Sequence, residues 1–311
     1  YFFGSPMNLL ILFFNDIQIF VLVLTILKLA LAASASAFFM RNRFSSIDNI
    51  WIIVLATCYG MMSYSISQKC NLMWLDALIM LPLICLGIYR LIMQNKKTFL
   101  FISVLVMVVC NWYMAYMCCL FSVVYFFFEL FCTDEKKKYI VTIVKYGLTM
   151  LLAVMSSMVL FLPTAMNLLQ GKGIESTTDY TPAFHIGIKT LIKGLLPGIR
   201  MQKACGTESQ GIMLFCGTFV LICAAAYFLS KRSLKEKILS ALVLSFLVVS
   251  ATFIPLENVW NGFRKANSYY CRFSFVISFF IIYLAAAYLE KSVKFLHKKW
   301  FRSIVCMWVC G

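Results

Sequence analysis

The sequence predicts an all-α polytopic membrane protein, and three observations lead to this fold class. Of its 311 residues, 62% are hydrophobic and 16% are aromatic, whereas soluble domains contain about 45–50% apolar residues. The mean hydropathy is +0.89. Short basic loops separate apolar runs that are about as long as a membrane-spanning helix, roughly 20 residues. We therefore expect residues 1–311 to form one integral-membrane domain.

The net charge belongs to the same pattern. The chain has 28 Lys and Arg against 12 Asp and Glu, a formal charge of +16. In a soluble protein this excess would indicate a nucleic-acid partner, but here most basic residues lie in loops between apolar runs. The lipid bilayer is therefore the expected partner, and no nucleic acid is predicted.

Cysteine and histidine usage predicts no metal site. Most of the 13 cysteines lie inside apolar runs, where a thiol behaves as a small hydrophobic group. The sequence has no CxxC pair with a second such pair, and it has only two histidines,. No cofactor is predicted, and a divalent metal is left open without being indicated.

The first spanning helix is predicted over residues 17–40, after a membrane-surface segment at 1–16. Residues 30–37 are nearly all Ala and Ser, which lets another helix approach closely. Lys28 lies near the middle of this span, where a charge is costly. It is either a structural group, paired with an acid or bound to a backbone carbonyl, or an intramembrane pathway residue.

A second span is predicted at 49–67, and a third within the stretch NLMWLDALIMLPLICLGIYR at 71–90. Asp76 lies at the mouth of this apolar run, and an acid there needs the membrane surface, a watery cavity or a partner. It could cap a helix that begins at about Ala77 and complement the helix dipole. It could also belong to a functional site, and the two roles are compatible.

Residues 98–131 are too many for one spanning helix, and loop charge decides how they divide. One helix would put basic clusters on both sides of the membrane. A fold-back at Asn111, Trp112 and Tyr113 puts all five on one side: 41–43, 90–97, 136–138, 231–237 and 291–302. This arrangement satisfies the positive-inside rule. We therefore predict helices at 98–110 and 113–131, and basic loops in the cytoplasm.

The later spans are predicted at 139–162, ending at Pro163, and at 211–229, 238–254 and 273–289. An apolar run from residue 301 is cut short. The total is about nine complete transmembrane helices plus a truncated tenth.

The long outer loop at 163–210 contains an amphipathic segment, TPAFHIGIKTLIKGLLPG. Thr181 is the expected N-cap, Pro182 lies in the first turn, and Gly194 and Pro197 are stop signals. This predicts an interfacial helix of about fourteen residues. Its apolar side carries Phe184, Ile188, Leu191, Ile192 and Leu195, and its polar side carries His185, Lys189 and Lys193. It either anchors the loop on anionic lipid or contacts a lipid-linked substrate.

A second outer loop, PLENVWNGFRKANSYYCRFSF at 255–275, collects charged and amide side chains. They include Glu257, Arg264, Lys265, Asn267 and Arg272. Three cations in one short outer loop run against the positive-inside bias and exceed what membrane anchoring needs. The loop is therefore a candidate functional segment.

Four segments carry a resemblance to a known family: YFFGSPMNLL, NLMWLDALIMLPLICLGIYRLI, CNWYMAYMCC and WNGFRKANSYYCRFSF. They resemble the YfhO family of bacterial multi-pass membrane proteins, in family order and spacing over nearly the whole chain. The last segment departs from the family, whose members usually have Pro before Asn267 and around Tyr270. This departure affects the expected shape of the loop at 255–275 and not the resemblance to the family.

The resemblance implies kinship with GT-C type glycosyltransferases of the bacterial cell membrane. Such enzymes move a sugar from a polyprenyl-phosphate carrier to an outer acceptor, here implied to be teichoic acid or a similar envelope polymer. They typically place a catalytic acid in the first outer loop, which would precede Tyr1. We therefore expect the chain to be an internal fragment, without its first span, that loop and a C-terminal part, and the catalytic acid to lie outside it. Asp76 is a weak catalytic candidate, and Glu257 and His185 are weaker.

Expected site residues follow from this chemistry. Arg pairs phosphate oxygens bidentately, so the leading candidates for the donor phosphate are Arg272 and Arg264, followed by Lys265, Lys189 and Lys193. The candidates for lining the sugar or acceptor site are Asn71, Trp74, Asn111, Tyr113 and Asn267.

Two other functions remain open. A transporter or flippase of lipid-linked sugars is favoured by Lys28, although polar clusters on one side only argue against a midplane site. A non-enzymatic scaffold of an envelope-synthesis complex is the third interpretation.

Overall fold

The computed structural model describes residues 4–133, 139–159, 162, 166, 181–198, 212–264 and 271–309, with side chains as far as residue 291. This part of the chain is helical and contains one isolated β-bridge. The helices are α1 Ile17–Arg43, α2 Asn49–Gly60, α3 Ser63–Ser67, α4 Leu75–Gln94, α5 Thr98–Cys110, α6 Trp112–Cys132, α7 Tyr139–Ser156, α8 Ile188–Gly194, α9 Thr218–Leu229, α10 Leu234–Thr252, α11 Ile254–Trp260 and α12 Ser274–Val309. Short 3₁₀ helices lie at Pro6–Phe13, Gln68–Cys70 and Leu72–Trp74.

Six helical stretches in the described part are long and apolar enough to cross a membrane. They are Ile17–Arg43, Asn49–Cys70, Leu72–Gln94, Trp112–Cys132, Tyr139–Ser156 and Ser274–Lys291. Helices α5 and α9 are apolar but shorter, and α10 carries three charged residues near its start. The structure therefore does not confirm nine complete spans. The run from residue 301 continues α12 and does not form a separate tenth helix.

Helix α4 lies at the centre of the bundle and packs against α1, α5, α6 and α7. Most of its residues are buried, as expected for a helix that is apolar all round. Its C-cap, Asn95, adopts the left-handed conformation with φ 58°, a common way to end a helix. Because α4 contacts these helices, side chains at its two ends can contact residues of other helices at opposite ends of the bundle.

Small residues set the closest helix contacts. A Cβ on Gly60 of α2 would lie 3.0 Å from the Ala33 Cβ and 3.1 Å from the Leu29 carbonyl oxygen. This contact confirms that the Ala- and Ser-rich half of α1 admits a close neighbour. A Cβ on Gly87 of α4 would lie 2.7 Å from the Leu100 Cα, so α4 and α5 approach at backbone distance.

We expect Gly87→Ala to destabilise the protein by about 1–3 kcal/mol, because the added methyl group overpacks the contact of α4 with the Leu100 backbone. The midpoint of unfolding in detergent measures the effect. Gly147→Ala is the matched control: Gly147 lies within helix α7 with no atom within 4 Å of its added Cβ. This control should be neutral or gain up to about 1 kcal/mol from helix propensity. Equal stability of the two variants would contradict the close packing.

The fold-back in residues 98–131 is confirmed. Helix α5 ends at Cys110 and α6 begins at Trp112, with Asn111 extended between them at φ −161° and ψ 97°. The Asn111 Oδ1 accepts from the Met114 N–H at 3.1 Å, and its Nδ2 donates to the Met73 carbonyl at 2.9 Å. One side chain therefore caps α6 and ties the corner to the start of α4.

The predicted interfacial helix is wrong in its first half. The helix covers only Ile188–Gly194, with Gly187 at its N-cap. Residues 183–185 are instead paired with 252–254: His185 N donates to the Thr252 carbonyl at 3.0 Å, and Ile254 N donates to the Ala183 carbonyl at 3.1 Å. Thr181 and Pro182 therefore precede a bridge and do not start the helix. The stop at Gly194 is confirmed, and a Cβ there would meet the Ile212 carbonyl oxygen.

Two other boundaries differ from the prediction. The predicted span at 211–229 becomes helical only at Thr218, because residues 212–217 are irregular and pair with other segments. The Phe215 carbonyl accepts from the Ser63 N–H at 2.9 Å, at the break between α2 and α3. Helix α7 ends at Ser156, and Pro163 lies outside the described residues.

Candidate functional site

Polar clusters occupy the two ends of the bundle. Trp74 directly precedes α4 and Tyr113 lies in the first turn of α6, whereas Arg90 and Glu129 lie sixteen residues further along. At 1.5 Å per residue, the two ends are about 24 Å apart. Helices α4 and α6 run in the same direction. Trp74 and Tyr113 therefore lie at one end of the bundle, and Arg90 and Glu129 lie at the other.

Arg272 is the centre of the cluster at the first end. Its Nη1 donates to the Tyr113 hydroxyl at 2.7 Å, and that hydroxyl donates to the Asn261 Oδ1 at 3.1 Å. The guanidinium carbon lies 5.6 Å from the centroid of a Trp74 ring and 5.5 Å from that of Tyr113, which is cation–π distance. We call Arg272, Tyr113, Trp74 and Asn261 the Arg272 cluster.

Local structure holds the four residues in place. Trp74 ends the 3₁₀ helix before α4, Asn261 follows α11, and Arg272 precedes α12. The Tyr116 hydroxyl donates to the Val259 carbonyl at 2.8 Å, which fixes α11 against α6. The Trp260 and Phe273 rings stack at 4.4 Å between centroids. The described parts of the 255–275 segment are thus attached to the bundle on both sides of the cluster.

The cluster has the chemistry of an anion site with aromatic walls. Arg272 is partly exposed, and Arg donates in a planar fork that matches phosphate or carboxylate oxygens. Within the described part of the chain, the buried Asn261 Nδ2 has no hydrogen-bond partner. A buried donor of this kind is normally satisfied by water or by a ligand.

Lys28 and Asp76 form a buried ion pair near this end. The Lys28 Nζ lies 2.8 Å from the Asp76 Oδ1 and donates to the Leu72 carbonyl at 3.0 Å. The Ser5 hydroxyl donates to the same carboxylate oxygen at 3.3 Å. Lys28 thus makes both contacts that were expected of a structural group: an ion pair with an acid and a hydrogen bond to a backbone carbonyl. Its side chain reaches the start of α4, although its backbone is near the middle of α1.

Asp76 is not the cap of α4. That helix begins at Leu75, its N-cap is Trp74, and no side chain caps it. The preceding 3₁₀ helix places Asp76 inside the first turn, where its charge still complements the helix dipole. Its Oδ2 is buried and has no hydrogen-bond partner among the described residues.

His185, Glu257 and Cys271 meet beside the Arg272 cluster. The His185 Nε2 lies 3.0 Å from the Glu257 Oε2, and the Glu257 Oε1 accepts from the Cys271 N–H at 2.8 Å. The Cys271 thiol donates to the Ala251 carbonyl at 3.3 Å. Burial raises the pKa of this thiol well above its ordinary value, and the nearby Glu257 carboxylate raises that pKa further. The thiol is therefore protonated at neutral pH.

Sequence reasoning did not find this group. It treated His185 and Glu257 as separate weak candidates and did not consider Cys271. His185 reaches Glu257 only because residues 183–185 pair with 252–254, and no periodicity in the sequence indicates that pairing.

The other predicted site residues are more scattered. The Asn71 Nδ2 donates to the Gln68 Oε1 at 2.9 Å, and Asn111 is used as the cap of α6. Arg264 is partly exposed after α11, and Lys189 and Lys193 are exposed on α8. Among the described residues, none of these three cations bonds to the Arg272 cluster. Lys265 and Asn267 lie outside the described residues.

The opposite end contains a second ion pair, with a buried Glu129 carboxylate and a partly exposed Arg43, which the sequence did not indicate. Arg43 contacts Glu129 with two nitrogens, at 2.7 Å through Nε and 3.0 Å through Nη2. The Tyr125 and Tyr283 hydroxyls donate to the Glu129 Oε1 at 2.7 and 3.1 Å. The Arg43 guanidinium also lies 4.7 Å from the Tyr89 ring centroid. This network joins α1, α4, α6 and α12.

These features define a multi-pass helical membrane protein with a cationic, aromatic cluster at one end. The chain belongs to the family described as bacterial membrane protein YfhO, whose family model matches residues 1–310. This confirms the resemblance and indicates a bacterial membrane location. No curated protein and no solved structure matched the chain.

Proposed function

We propose that this chain is part of a membrane glycosyltransferase that moves a sugar from a polyprenyl-phosphate carrier to a cell-envelope acceptor such as teichoic acid. The observation that carries this proposal is the Arg272 cluster, where a guanidinium, an amide and two aromatic rings meet at one end of an apolar bundle. GT-C kinship, implied by the family resemblance, supplies the reaction class.

The phosphate, the sugar and the polyprenyl tail of the donor would each contact a suitable part of the protein. The guanidinium of Arg272 would hold the phosphate through charge-assisted hydrogen bonds, and the buried Asn261 Nδ2 would donate to the phosphate or the sugar. The Trp74 and Tyr113 rings would form the walls of the sugar site, as aromatic side chains commonly do in ligand sites. The polyprenyl tail would lie along the apolar helices.

The same proposal puts the Arg272 cluster on the outer face. Arg41 and Arg43 lie in the last turn of α1, and Arg90 lies near the end of α4, at the opposite end from Arg272. By the positive-inside rule that basic end is cytoplasmic. A carrier-linked sugar and an envelope polymer would then meet outside.

We assign no catalytic base among the described residues. A base must come within hydrogen-bond reach of the acceptor hydroxyl. Asp76 is the acid that the sequence offered as a catalytic candidate, but its side chain is 3% exposed and paired with Lys28. We propose that Asp76 positions the start of α4 and that the catalytic acid lies elsewhere in the protein.

A transporter or flippase of lipid-linked sugars is the alternative. The buried Lys28–Asp76 pair favours it, because ionisable pairs inside membrane spans often mark ion or proton pathways.

Transfer of labelled sugar from a polyprenyl-phosphate donor to polymer, by the full-length protein in vesicles, tests the proposal. We expect Arg272→Ala to lower the rate by about 10²–10³-fold, the usual effect of removing one positioned donor of charge stabilisation. Arg90→Ala is the matched control. Arg90 is also partly exposed and lies over an aromatic ring, 4.7 Å from Phe99, but at the other end of the bundle, so its loss should leave the rate unchanged.

The outcomes separate the functions. No transfer by the wild-type protein would overturn the glycosyltransferase assignment, and movement of the lipid-linked sugar across the vesicle without transfer would establish a flippase. Transfer by the wild type together with a normal rate for folded Arg272→Ala would remove Arg272 from the site.

A further inference from the structure

We propose that His185, Glu257 and Cys271 form a binding site for Zn²⁺ or a similar thiolate-binding divalent metal. The three side chains come from separate segments: the stretch before α8, the first turn of α11 and the turn before α12. Their ligand atoms all lie within 4.8 Å of one another. This site does not depend on the proposed transferase activity.

The distances suit a small tetrahedral ion. Zn²⁺ binds nitrogen and oxygen at about 2.0–2.2 Å and sulfur at about 2.3 Å, so neighbouring ligand atoms stand about 3.3–3.6 Å apart. The His185 Nε2 and the Glu257 Oε2 are 3.0 Å apart here. Entry of the ion needs the imidazole and the carboxylate to separate by a few tenths of an ångström, while the thiol turns toward them from the Ala251 carbonyl.

Backbone contacts hold the ligands in place. The Cys271 N–H donates to the Glu257 Oε1, which leaves Oε2 directed at His185. The His185 N–H donates to the Thr252 carbonyl at 3.0 Å. Hydrogen bonds of this kind orient ligands in known metal sites. The ligands would therefore need little rearrangement to bind an ion.

The mixture of ligand atoms selects the class of metal. One sulfur, one imidazole nitrogen and one carboxylate oxygen suit Zn²⁺ and related ions, whereas Mg²⁺ and Ca²⁺ prefer oxygen ligands throughout. On binding, the S–H bond breaks, a metal–sulfur bond forms and the proton leaves to water. Three protein ligands leave a fourth position open to water or an anionic group.

The backbone at Cys271 adds an independent observation. Its φ is 52°, a left-handed conformation that is uncommon for residues other than glycine. Such strain costs about 1–3 kcal/mol and is concentrated at functional sites. In this conformation the Cys271 N–H bonds to the Glu257 carboxylate, and the thiol lies within 4.8 Å of that ligand.

The metal would also support the Arg272 cluster. Cys271 directly precedes Arg272, and Glu257 lies on α11 four residues before Asn261, which follows that helix. A bound ion would cross-link the two ends of the second outer loop and tie both to the segment before α8. The sequence predicted no metal site because it has only two histidines and no CxxC pair with a second such pair.

Cobalt substitution tests the site. The purified full-length protein is stripped with chelator and titrated with Co²⁺, and the near-ultraviolet sulfur-to-cobalt absorption and the metal content are measured. We expect about one Co²⁺ per chain with thiolate absorption, displaced by Zn²⁺. Cys271→Ser should abolish the absorption and weaken binding by more than about 100-fold, since loss of even an outer partner of a ligand costs about 10–100-fold.

Matched variants make the result decisive. Cys216→Ser removes another buried thiol outside the spanning helices and should leave the absorption intact. Glu257→Gln preserves an acceptor for the Cys271 N–H but removes the charged ligand, so it should fold and bind Co²⁺ weakly. Substoichiometric binding by the wild type would overturn the proposal, as would full thiolate absorption in folded Cys271→Ser. Failure of sugar transfer with the metal site intact would overturn only the proposed function.

Discussion

Replacing Lys28 by Met is expected to destabilise the protein by about 3–5 kcal/mol, because one partner of a buried ion pair is removed and the other is left behind. The Lys28 side chain is fully buried, and its Nζ lies 2.8 Å from the Asp76 Oδ1. The Ser5 hydroxyl alone would then stabilise the carboxylate. The effect is measured as the change in free energy of unfolding in mixed detergent micelles.

The double variant Lys28→Met with Asp76→Leu should recover most of this loss. Replacing a whole buried ion pair with apolar groups is often neutral or stabilising. We therefore expect the free energy of unfolding of the double variant to lie within about 1 kcal/mol of the wild-type value. The difference between the sum of the two single effects and the double effect measures the pair directly.

Lys145→Met is the matched control for this cycle. Lys145 donates to the Asn95 Oδ1 at the exposed surface of α7, and its loss should change stability by no more than about 0.5 kcal/mol. A Lys28→Met variant that behaves like the control would show that the pair is not formed. Strict additivity of the Lys28 and Asp76 effects would show the same.

The need for this pair could be predicted from the sequence, but its identity could not. A lysine in an apolar run must have a partner, and a carbonyl or acid was expected. Acids and backbone carbonyls at several depths would satisfy that rule equally well. Which one Lys28 reaches depends on how α1 lies against α4, and this is set by packing over the whole length of both helices.

Charge patterning predicted more of the fold than hydrophobicity did. Hydrophobicity alone could not divide residues 98–131, whereas the side on which the basic loops fall required a fold-back at Asn111, which is confirmed. Counting apolar runs as spans overstated the number of membrane-length helices, because a run such as 211–229 begins with irregular backbone that pairs with other segments.

Part of the candidate site was also predictable. Trp74, Tyr113 and Arg272 were expected to share a site, and they are in contact. Asn261 was not among the predicted site residues, although it accepts from the Tyr113 hydroxyl. Asn111 was among them, and its side chain caps α6. Amide side chains serve as caps, links or ligand groups with equal ease, so only their contacts distinguish these roles.

The second ion pair leads to the other large stability effect. We expect Glu129→Ala to destabilise the protein by about 3 kcal/mol, the lower end of the range for breaking a buried pair, because Arg43 loses a bidentate partner but is itself only partly buried. The Glu129 side chain is 3% exposed, and that of Arg43 is 20% exposed, so the guanidinium can partly regain water by moving toward the surface. The Tyr125 and Tyr283 hydroxyls also lose their acceptor.

Two comparisons separate this effect from a general sensitivity to losing an acid. Glu236→Ala removes an acid from an i,i+4 pair with Arg232 whose carboxylate is 29% exposed, and it should cost about 0.5 kcal/mol or less. Glu129→Gln retains acceptors for the tyrosines and should fall between the two. Because Glu129 lies about 24 Å from Tyr113 along α6, we expect the folded fraction of Glu129→Ala to match the wild type in the transfer assay that tests the proposed function. Loss of stability no larger than that of Glu236→Ala would contradict a buried network that joins α1, α6 and α12.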